Sequence, residues 1–370
     1  MEREYQICTR CLMDTSDPEI SFDENGVCNH CHQYDYQKQY LFSEDKLKEV
    51  VEKIKKSSKS KQYDCIIGVS GGVDSCMSAY LAKKAGLNPL AVHVDNGWNS
   101  ETSQSNIENT LRMLDIDLFT HVIDWEEFKD IQKSFLKASV PNIDYPYDHA
   151  IVATLFKKAA ELGVKYIIFG TNITTEFIMP RLWGYNSWDY KHLKAIHKKY
   201  GKKPIKTSPT ISLWKLGYYS FVKKIRIFRI LDYIKYNKME SKAFLKKEFD
   251  WKDYGAKHCE SIYTRFFIGY FLQKKFGVDR NRAWMSTLIL SGQKTREEAL
   301  HELAEGFYSS KKDMDEEKCY VIKKLCLKNE EFNQIMASPA KQHTDYPNNS
   351  IFLDRSGFFV RMARKILRKL

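Results

Sequence analysis

The stretch Tyr63-Asp-Cys-Ile-Ile-Gly-Val-Ser-Gly-Gly-Val-Asp-Ser75 decides the fold. Cys65–Val69 is a short apolar run, β-branched at Ile66, Ile67 and Val69, and reads as a buried strand. Ser70-Gly71-Gly72 breaks it, and two glycines permit positive φ and close backbone approach to a ligand. From Val73 the pattern turns helical, with Met77, Tyr80 and Leu81 on one face and Gly86 as a stop. A strand, a glycine turn and a helix N-terminus aim N–H groups and a helix dipole at one spot, which makes an anion site. The loop ends in Asp74-Ser75 and lacks the Gly-Lys-Ser/Thr with which a Walker A motif reaches a γ-phosphate. An ordinary glycine-rich turn is the plainer alternative.

Downstream, Pro89–Asp95 reads as a second strand ending in Asp95-Asn96-Gly97. Ser100 caps a helix through Leu114, Leu118–Ile123 is a third strand, and Trp125–Ala138 is helical. Asp148 is expected to cap a helix through Leu162, closed by Gly163, before a fourth strand, Val164–Phe169, that runs into Gly170-Thr171-Asn172. Strands alternating with helices at this spacing predict an α/β fold with a doubly wound parallel sheet. Ligands of such sheets sit at the carboxyl ends of strands, where the turns after Val69, Val94 and Phe169 all lie.

SGGVDS after a buried strand closely resembles the PP-loop of ATP pyrophosphatases, which cut ATP between the α- and β-phosphates and hold the departing pyrophosphate. The resemblance implies an adenine nucleotide alpha hydrolase-like fold. It implies ATP bound by Ser70, Gly71, Gly72, Val73, Asp74 and Ser75, with Asp74 catalytic. It places adenosine at His93, Val94 and Asp95, and turns Gly170, Thr171 and Asn172 toward the nucleotide. Taken alone, His93 and Asp95 are equally a strand end and a turn former.

A chain of 370 residues suits one large or two medium domains, and 43% hydrophobic content with 14% aromatics is ample for a core. The formal charge of +12 points to an anionic partner without choosing among nucleic acid, nucleotide and membrane. The start, MEREYQICTR, lacks the apolar core of a signal peptide, and no apolar run approaches the ~20 residues of a membrane span. A reducing cytoplasm is therefore expected, with the nine cysteines as metal ligands or free thiols.

Cys8-Thr-Arg-Cys11 and Cys28-Asn-His-Cys31 are two C-x2-C pairs sixteen residues apart, which fits a four-thiolate Zn2+ site built from two knuckles. His30 or His32 could replace a cysteine, and an iron centre or redox pair shares the spacing. Four thiolates complete a tetrahedron with no open position, so the zinc reads as structural. The segment is too short to fold on an apolar core, and metal would supply its folding energy. Leu47, Val50, Val51 and Ile54 then mark an amphipathic helix, and Lys55–Lys61 a linker.

Tyr190–Lys206 carries seven lysines and no acid, a functional basic face or a solvated loop. Leu213–Tyr236 sets Trp214, Tyr218, Phe221, Ile225, Phe228 and Leu231 at near-helical spacing. A packed helix with basic flanks is expected there, with an interfacial membrane helix as the alternative. Trp251–Gly292 crowds Lys257, His258, Glu260, Thr264, Arg265, Asp279, Arg280 and Arg282 among aromatics.

Together with the knuckles and SGGVDS, the Lys257–Arg265 and Arg280–Gly292 runs closely resemble the N-acetyl sugar amidotransferases of surface-polysaccharide (LPS O-antigen) biosynthesis. The resemblance runs from Cys8 to about Ala299. It implies conversion of the acetamido group of a nucleotide-linked sugar to acetamidino, with AMP and pyrophosphate formed and Mg2+ assisting. Lys257 and Arg265 would neutralise phosphate charge, and His258 or Glu260 would take a proton from ammonium. A buried ion-pair network is the alternative for all four. With no cysteine at position 2 and no Gly-x-Cys-x-Gly, ammonia is expected from a partner glutaminase with a cyclase-like subunit. The expected division is 1–42 knuckles, 43–180 nucleotide domain, 181–345 a mainly helical sugar- and partner-binding region, and 346–370 a basic amphipathic tail. That tail, Arg355–Leu370, would meet a partner or anionic lipid, or be a surface helix.

Two rivals stand beside this reading. A tRNA-thiolating PP-loop enzyme would suit the knuckles and the charge, but the nucleotide domain offers just Cys65 and Cys76, with Cys259 beyond it. A non-enzymatic zinc-ribbon nucleotide-binding module conflicts with an intact Asp74-Ser75. No nucleic-acid partner is expected.

Overall fold

The computed structural model describes residues 4–59, 62–255 and 259–353. Five strands, β1 (Cys65–Gly68), β2 (Pro89–Asp95), β3 (Leu118–Val122), β4 (Tyr166–Ile168) and β5 (Arg226–Phe228), form one all-parallel sheet in the order β3-β2-β1-β4-β5. Cys65, Ile66 and Ile67 are fully buried because both faces are covered. Cys65 and Ile67 pack beneath the helices Val73–Lys84 and Glu101–Leu114, while Ile66 packs on the opposite face with Val152 and Phe156 of the helix Tyr145–Leu162. The strand order reverses between β1 and β4, so Ser70–Ser75 and Gly170–Asn172 flank the switch point where such sheets bind ligands.

Several local expectations change. The helix expected from Asp148 begins at Tyr145, with Pro146 in its first turn, so Asp148 lies inside that turn and caps nothing. Residues 190–200 are helical, and 201–206 form the loop that follows. Asp189 Oδ1 accepts from the Lys191 and His192 amides and starts a helix, Tyr190–Tyr200, that buries His192, Leu193, Ile196 and His197. The single helix expected over 213–236 divides. Helical turns end at Val222, Lys224 adopts a φ of 56°, and β5 follows. The alternation Lys224-Ile-Arg-Ile-Phe228 carries the strand period. Ile225 and Phe228 are buried as foreseen, but Trp214 and Phe221 face solvent.

The knuckles are not a bead on a tether. Cys8, Cys11, Cys28 and Cys31 share an apolar cluster with Trp183, Phe266, Trp284 and Leu290. Arg282, on the helix Arg280–Leu290, donates to the Leu12 carbonyl at 2.7 Å and pairs with Asp14 at 3.1 Å. Ser286 Oγ accepts from the Leu12 amide at 2.9 Å. No helix among the described residues is long and apolar enough to cross a membrane.

The Arg282–Asp14 pair is largely buried, and truncation strands a carboxylate. Arg282→Ala should therefore cost about 3 kcal/mol in urea unfolding, while Arg181→Ala, whose pair with Glu19 is exposed, should cost at most about 1 kcal/mol.

Candidate functional site

Gly71 has a φ of +77°, and a Cβ there would lie 2.3 Å from the Ser103 carbonyl oxygen. Gly72, at φ −74°, is the residue preceding the helix Val73–Lys84, so positive φ is required at one of the two glycines. The Gly71 carbonyl accepts from Trp251 Nε1 at 2.9 Å and from Asn106 Nδ2 at 3.4 Å. Ser75 Oγ donates to the Gly72 carbonyl at 3.0 Å, and the Ser70 amide donates to Ser75 Oγ at 3.3 Å. Across the switch point, a Cβ on Gly170 would sit 2.9 Å from the Ser75 nitrogen, so this turn approaches the helix start to a degree other residues would block. Main-chain groups thus line a cradle at the N-terminal end of a twelve-residue helix, the geometry that holds phosphates.

Other nominated residues take different stations. His93 is buried. Nδ1 donates to the Val69 carbonyl at 3.0 Å and Nε2 accepts from Asn99 Nδ2 at 2.9 Å, and burial pushes its pKa down. This neutral ring ties the end of β1 to the turn after β2. Asp95 Oδ1 accepts from the Gly97 amide at 2.8 Å and from Asn99 Nδ2 at 3.1 Å. Asn172 Oδ1 accepts from the Thr175 amide at 2.9 Å and caps Ile173–Glu176, while Thr171 is exposed. Val73 and Val94 are buried. The Asp74 carboxylate accepts from the Tyr236 hydroxyl.

The C-terminal half closes over the carboxyl ends of the strands. A Cβ on Gly72 would lie 3.1 Å from Tyr254 Oη and 3.5 Å from Glu260 Oε1, which puts both residues at the phosphate cradle. The Glu260 carbonyl accepts from the Ser100 amide at 2.9 Å. Tyr254 also lines a cleft of about 620 Å³ with Cys259, Arg265, Phe307, Tyr308 and Glu317. There Arg265 pairs with Glu317, whose other oxygen accepts from Tyr308 Oη at 2.5 Å. Lys257 and His258 lie outside the described residues.

A second polar cluster stands between Tyr147 and the C-terminal half. Thr264 Oγ1 donates to Asp144 Oδ2 at 2.7 Å, while Asp144 Oδ1 and the fully buried Tyr263 hydroxyl have no hydrogen-bond partner among the described residues. Arg280 donates through Nη2 to the Trp183 carbonyl at 2.9 Å and lies 4.7 Å over the Phe267 ring. Burial pushes the Asp144 carboxyl up to about 6. Asp148, four residues further along the same helix, is exposed.

Two family models match separate parts of the chain. A model described as NAD synthase matches residues 43–206, and a model described as the C-terminal domain of WbpG-like LPS biosynthesis proteins matches residues 260–361. The chain joins an NAD-synthase-type PP-loop domain to a WbpG-like C-terminal domain. It is 28% identical over 170 residues to an uncharacterized protein of Methanocaldococcus jannaschii, covering 44% of this chain and 58% of that protein. It is 33% identical over 135 residues to the glutamine-hydrolyzing GMP synthase of Pyrobaculum aerophilum, covering 35% and 25%. Over 130 residues it is 30% identical to a probable mitochondrial tRNA-specific 2-thiouridylase of Caenorhabditis elegans, covering 30% and 34%. The chain therefore spans less than two thirds of the length of each of these relatives. Among solved structures, the NH3-dependent NAD synthetase of Campylobacter jejuni aligns with a TM-score of 0.30 at 19% identity, over 56% of this chain and 83% of that one.

Within the PP-loop domain, Cys65 and Cys76 cannot serve as nucleophiles. Burial pushes the Cys76 thiol up to about 11 and Cys65 higher still, whereas a reactive cysteine needs a lowered pKa. The knuckle cysteines, in contrast, fit a metal. Their sulfurs lie within 4.8 Å of one another, with separations of 3.8 Å for Cys8–Cys31 and 3.6 Å for both Cys11–Cys28 and Cys28–Cys31. Zinc–sulfur bonds of about 2.3 Å give a tetrahedron with edges of about 3.8 Å. The Cys8 sulfur also accepts from the Arg10 and Cys11 amides at 3.4 Å and from the Cys28 amide at 3.3 Å, the donor set a thiolate requires.

Reading the sequence residue by residue misses Trp251, Asn106, Tyr236 and Asp144, since their roles depend on chain brought in from elsewhere. An i, i+4 pair of aspartates at a helix start was the available signal.

Gly71→Ala should abolish pyrophosphate release and destabilise the fold by about 2 kcal/mol or more, combining the left-handed cost with a backbone clash. Gly72→Ala, with ordinary φ, should unfold at nearly the wild-type temperature. The raised Asp144 carboxyl fixes a second expectation. A fold that favours the protonated acid is stabilised at low pH and loses that contribution as pH rises through about 6. Asp144→Asn should therefore lose less thermal stability than wild type between about pH 5 and pH 7.

Proposed function

We propose that this protein is an ATP-dependent N-acetyl sugar amidotransferase that makes an acetamidino group with ammonia supplied by a partner glutaminase. The observation that supports it most is the placement of Asp74, Tyr254 and Glu260 at one phosphate cradle, where a WbpG-like domain closes over a PP-loop domain. ATP would lie with its β- and γ-phosphates on Ser70–Ser75, opposite Gly170. Mg2+ bound with the departing pyrophosphate would offset its charge.

An amide carbonyl is a weak electrophile because nitrogen donates into it. Attack of the acetamido oxygen on the α-phosphorus displaces pyrophosphate and leaves an O-adenylyl imidate. Ammonia then adds to the imidate carbon, and AMP departs with the original amide oxygen. ATP, ammonia and the acetamido sugar thus become AMP, pyrophosphate and the acetamidino sugar, with the surplus protons passed to nearby bases. Glu260 faces this point, and Glu260 or His258 is proposed to take a proton from ammonium. Lys257 and Arg265 are proposed to offset phosphate charge, with Glu317 holding Arg265 in place. The cleft beside Tyr254 offers aromatic rings and carboxylates to a sugar-sized ligand. That one relative is a glutamine-hydrolyzing synthase supports ammonia as the nitrogen donor, and LPS or related glycan biosynthesis is the setting the C-terminal domain supports.

The decisive measurement places a heavy-oxygen label in the acetamido group of a nucleotide-linked N-acetyl sugar and follows it by mass spectrometry. Label in AMP supports the reading, while ADP as product, or label retained in the sugar, overturns it. The isolated chain should use ammonium salts better as pH rises, since free NH3 is the nucleophile, and should ignore glutamine until a glutaminase is added. Glutamine-dependent turnover by this chain alone would refute the partner.

A further inference from the structure

Leu213–Val222 is a continuous helical segment, α over Leu213–Gly217 and a wider π turn over Tyr218–Val222. One side is core. Leu216 and Tyr219 are buried, and Tyr219 stacks on Phe156 at 6.5 Å. The other side presents Trp214, 91% exposed, with Tyr218 at 46%, Phe221 at 60% and Val222 at 64%. These four recur at i, i+4, i+7 and i+8, which makes one stripe. Lys215, Lys223, Lys224 and Arg226 are exposed around it. The surroundings are equally one-sided. From Tyr190 to Leu231 the chain has twelve lysines and arginines and no acidic residue.

Apolar side chains of this size rarely stay in water without a partner, and their combination with like-signed charge narrows what the partner can be. Protein interface cores deplete lysine. Tryptophan and tyrosine interleaved with lysine are the composition favoured at the boundary of an anionic bilayer, where rings enter the headgroup region and ammonium groups meet lipid phosphates.

We propose that this stripe is a docking surface for an anionic phospholipid membrane, with Trp214, Tyr218, Phe221 and Val222 inserted and Lys215, Lys223, Lys224 and Arg226 on the headgroups. The Phe221–Arg226 end leads into the N-terminal end of β5. The phosphate cradle lies at the opposite, carboxyl ends of the parallel strands. Docking there leaves the cleft open to soluble substrates, and the inference does not depend on what the cleft does.

The test is co-sedimentation of the full chain with vesicles of phosphatidylglycerol and phosphatidylethanolamine, against vesicles of phosphatidylcholine alone. Binding to the first, weakened by added salt, and no binding to the second are expected. Trp214→Ser combined with Phe221→Ser should reduce partitioning at least about tenfold, and Lys223→Glu with Lys224→Glu comparably. Both pairs are exposed, so unchanged circular dichroism and melting temperature should confirm that the fold is intact. Absence of binding to anionic vesicles at low salt would overturn the proposal. So would binding that survives replacement of the aromatic pair, since it would then belong to the basic tail or another cationic face.

Discussion

The turn at Gly71 constrains everything around it. A left-handed residue pressed against the Ser103 carbonyl redirects the chain from strand to helix within a few residues. That turn directs the Gly71 carbonyl at the Trp251 indole and the Asn106 amide, so the lone pairs that would repel a phosphate are already engaged. Asn106 also bonds both ways with the Lys252 backbone, at 2.8 Å and 2.7 Å. The hydrogen bonds that satisfy the loop thus hold the segment leading to Tyr254 and Glu260. The glycine loop and the Trp251–Lys252 segment share one set of polar contacts.

The knuckles extend the same logic to the far side of the C-terminal half. Four buried sulfurs without a metal would be a poor core, whereas four thiolates around one divalent ion would make a rigid plug that apolar residues can surround. Arg282 and Ser286 read the main chain of that plug directly, so the helix Arg280–Leu290 is fixed at one end by the knuckles. The same helix begins with Arg280, whose charge acts on the buried Asp144. The knuckle segment is thereby connected to the polar cluster through one helix.

Two sets of acids lie in different surroundings. Asp74 and Glu260 stand at the glycine loop, whereas Asp144 is buried within the field of Arg280. Burial favours the protonated form of Asp144, and the Arg280 charge opposes it. Groups held near their point of ionisation are what proton transfer at neutral pH needs.

The sequence by itself determined the parallel α/β sheet, the loop at Ser70–Ser75, the turn at Gly170 and the four-cysteine cluster. Each is a short-range pattern: a buried β-branched run, glycines where a Cβ cannot fit, thiols at knuckle spacing. It could also assign Trp125–Ala138 and Glu101–Leu114, whose caps and periodicity are local. Tertiary structure decided what those patterns left open. Asp148 lies within the first turn instead of capping it, because the helix, with Pro146 at its start, begins a turn earlier. His93 became a buried tie because Val69 and Asn99 reach its two nitrogens from separate segments. Trp214 and Phe221 carry the same spacing as a buried face, and just the position of Tyr219 against Phe156 shows that the segment presents its other side to the core. Periodicity records that a helix has two faces, while the neighbours supplied by the rest of the fold choose which one is buried.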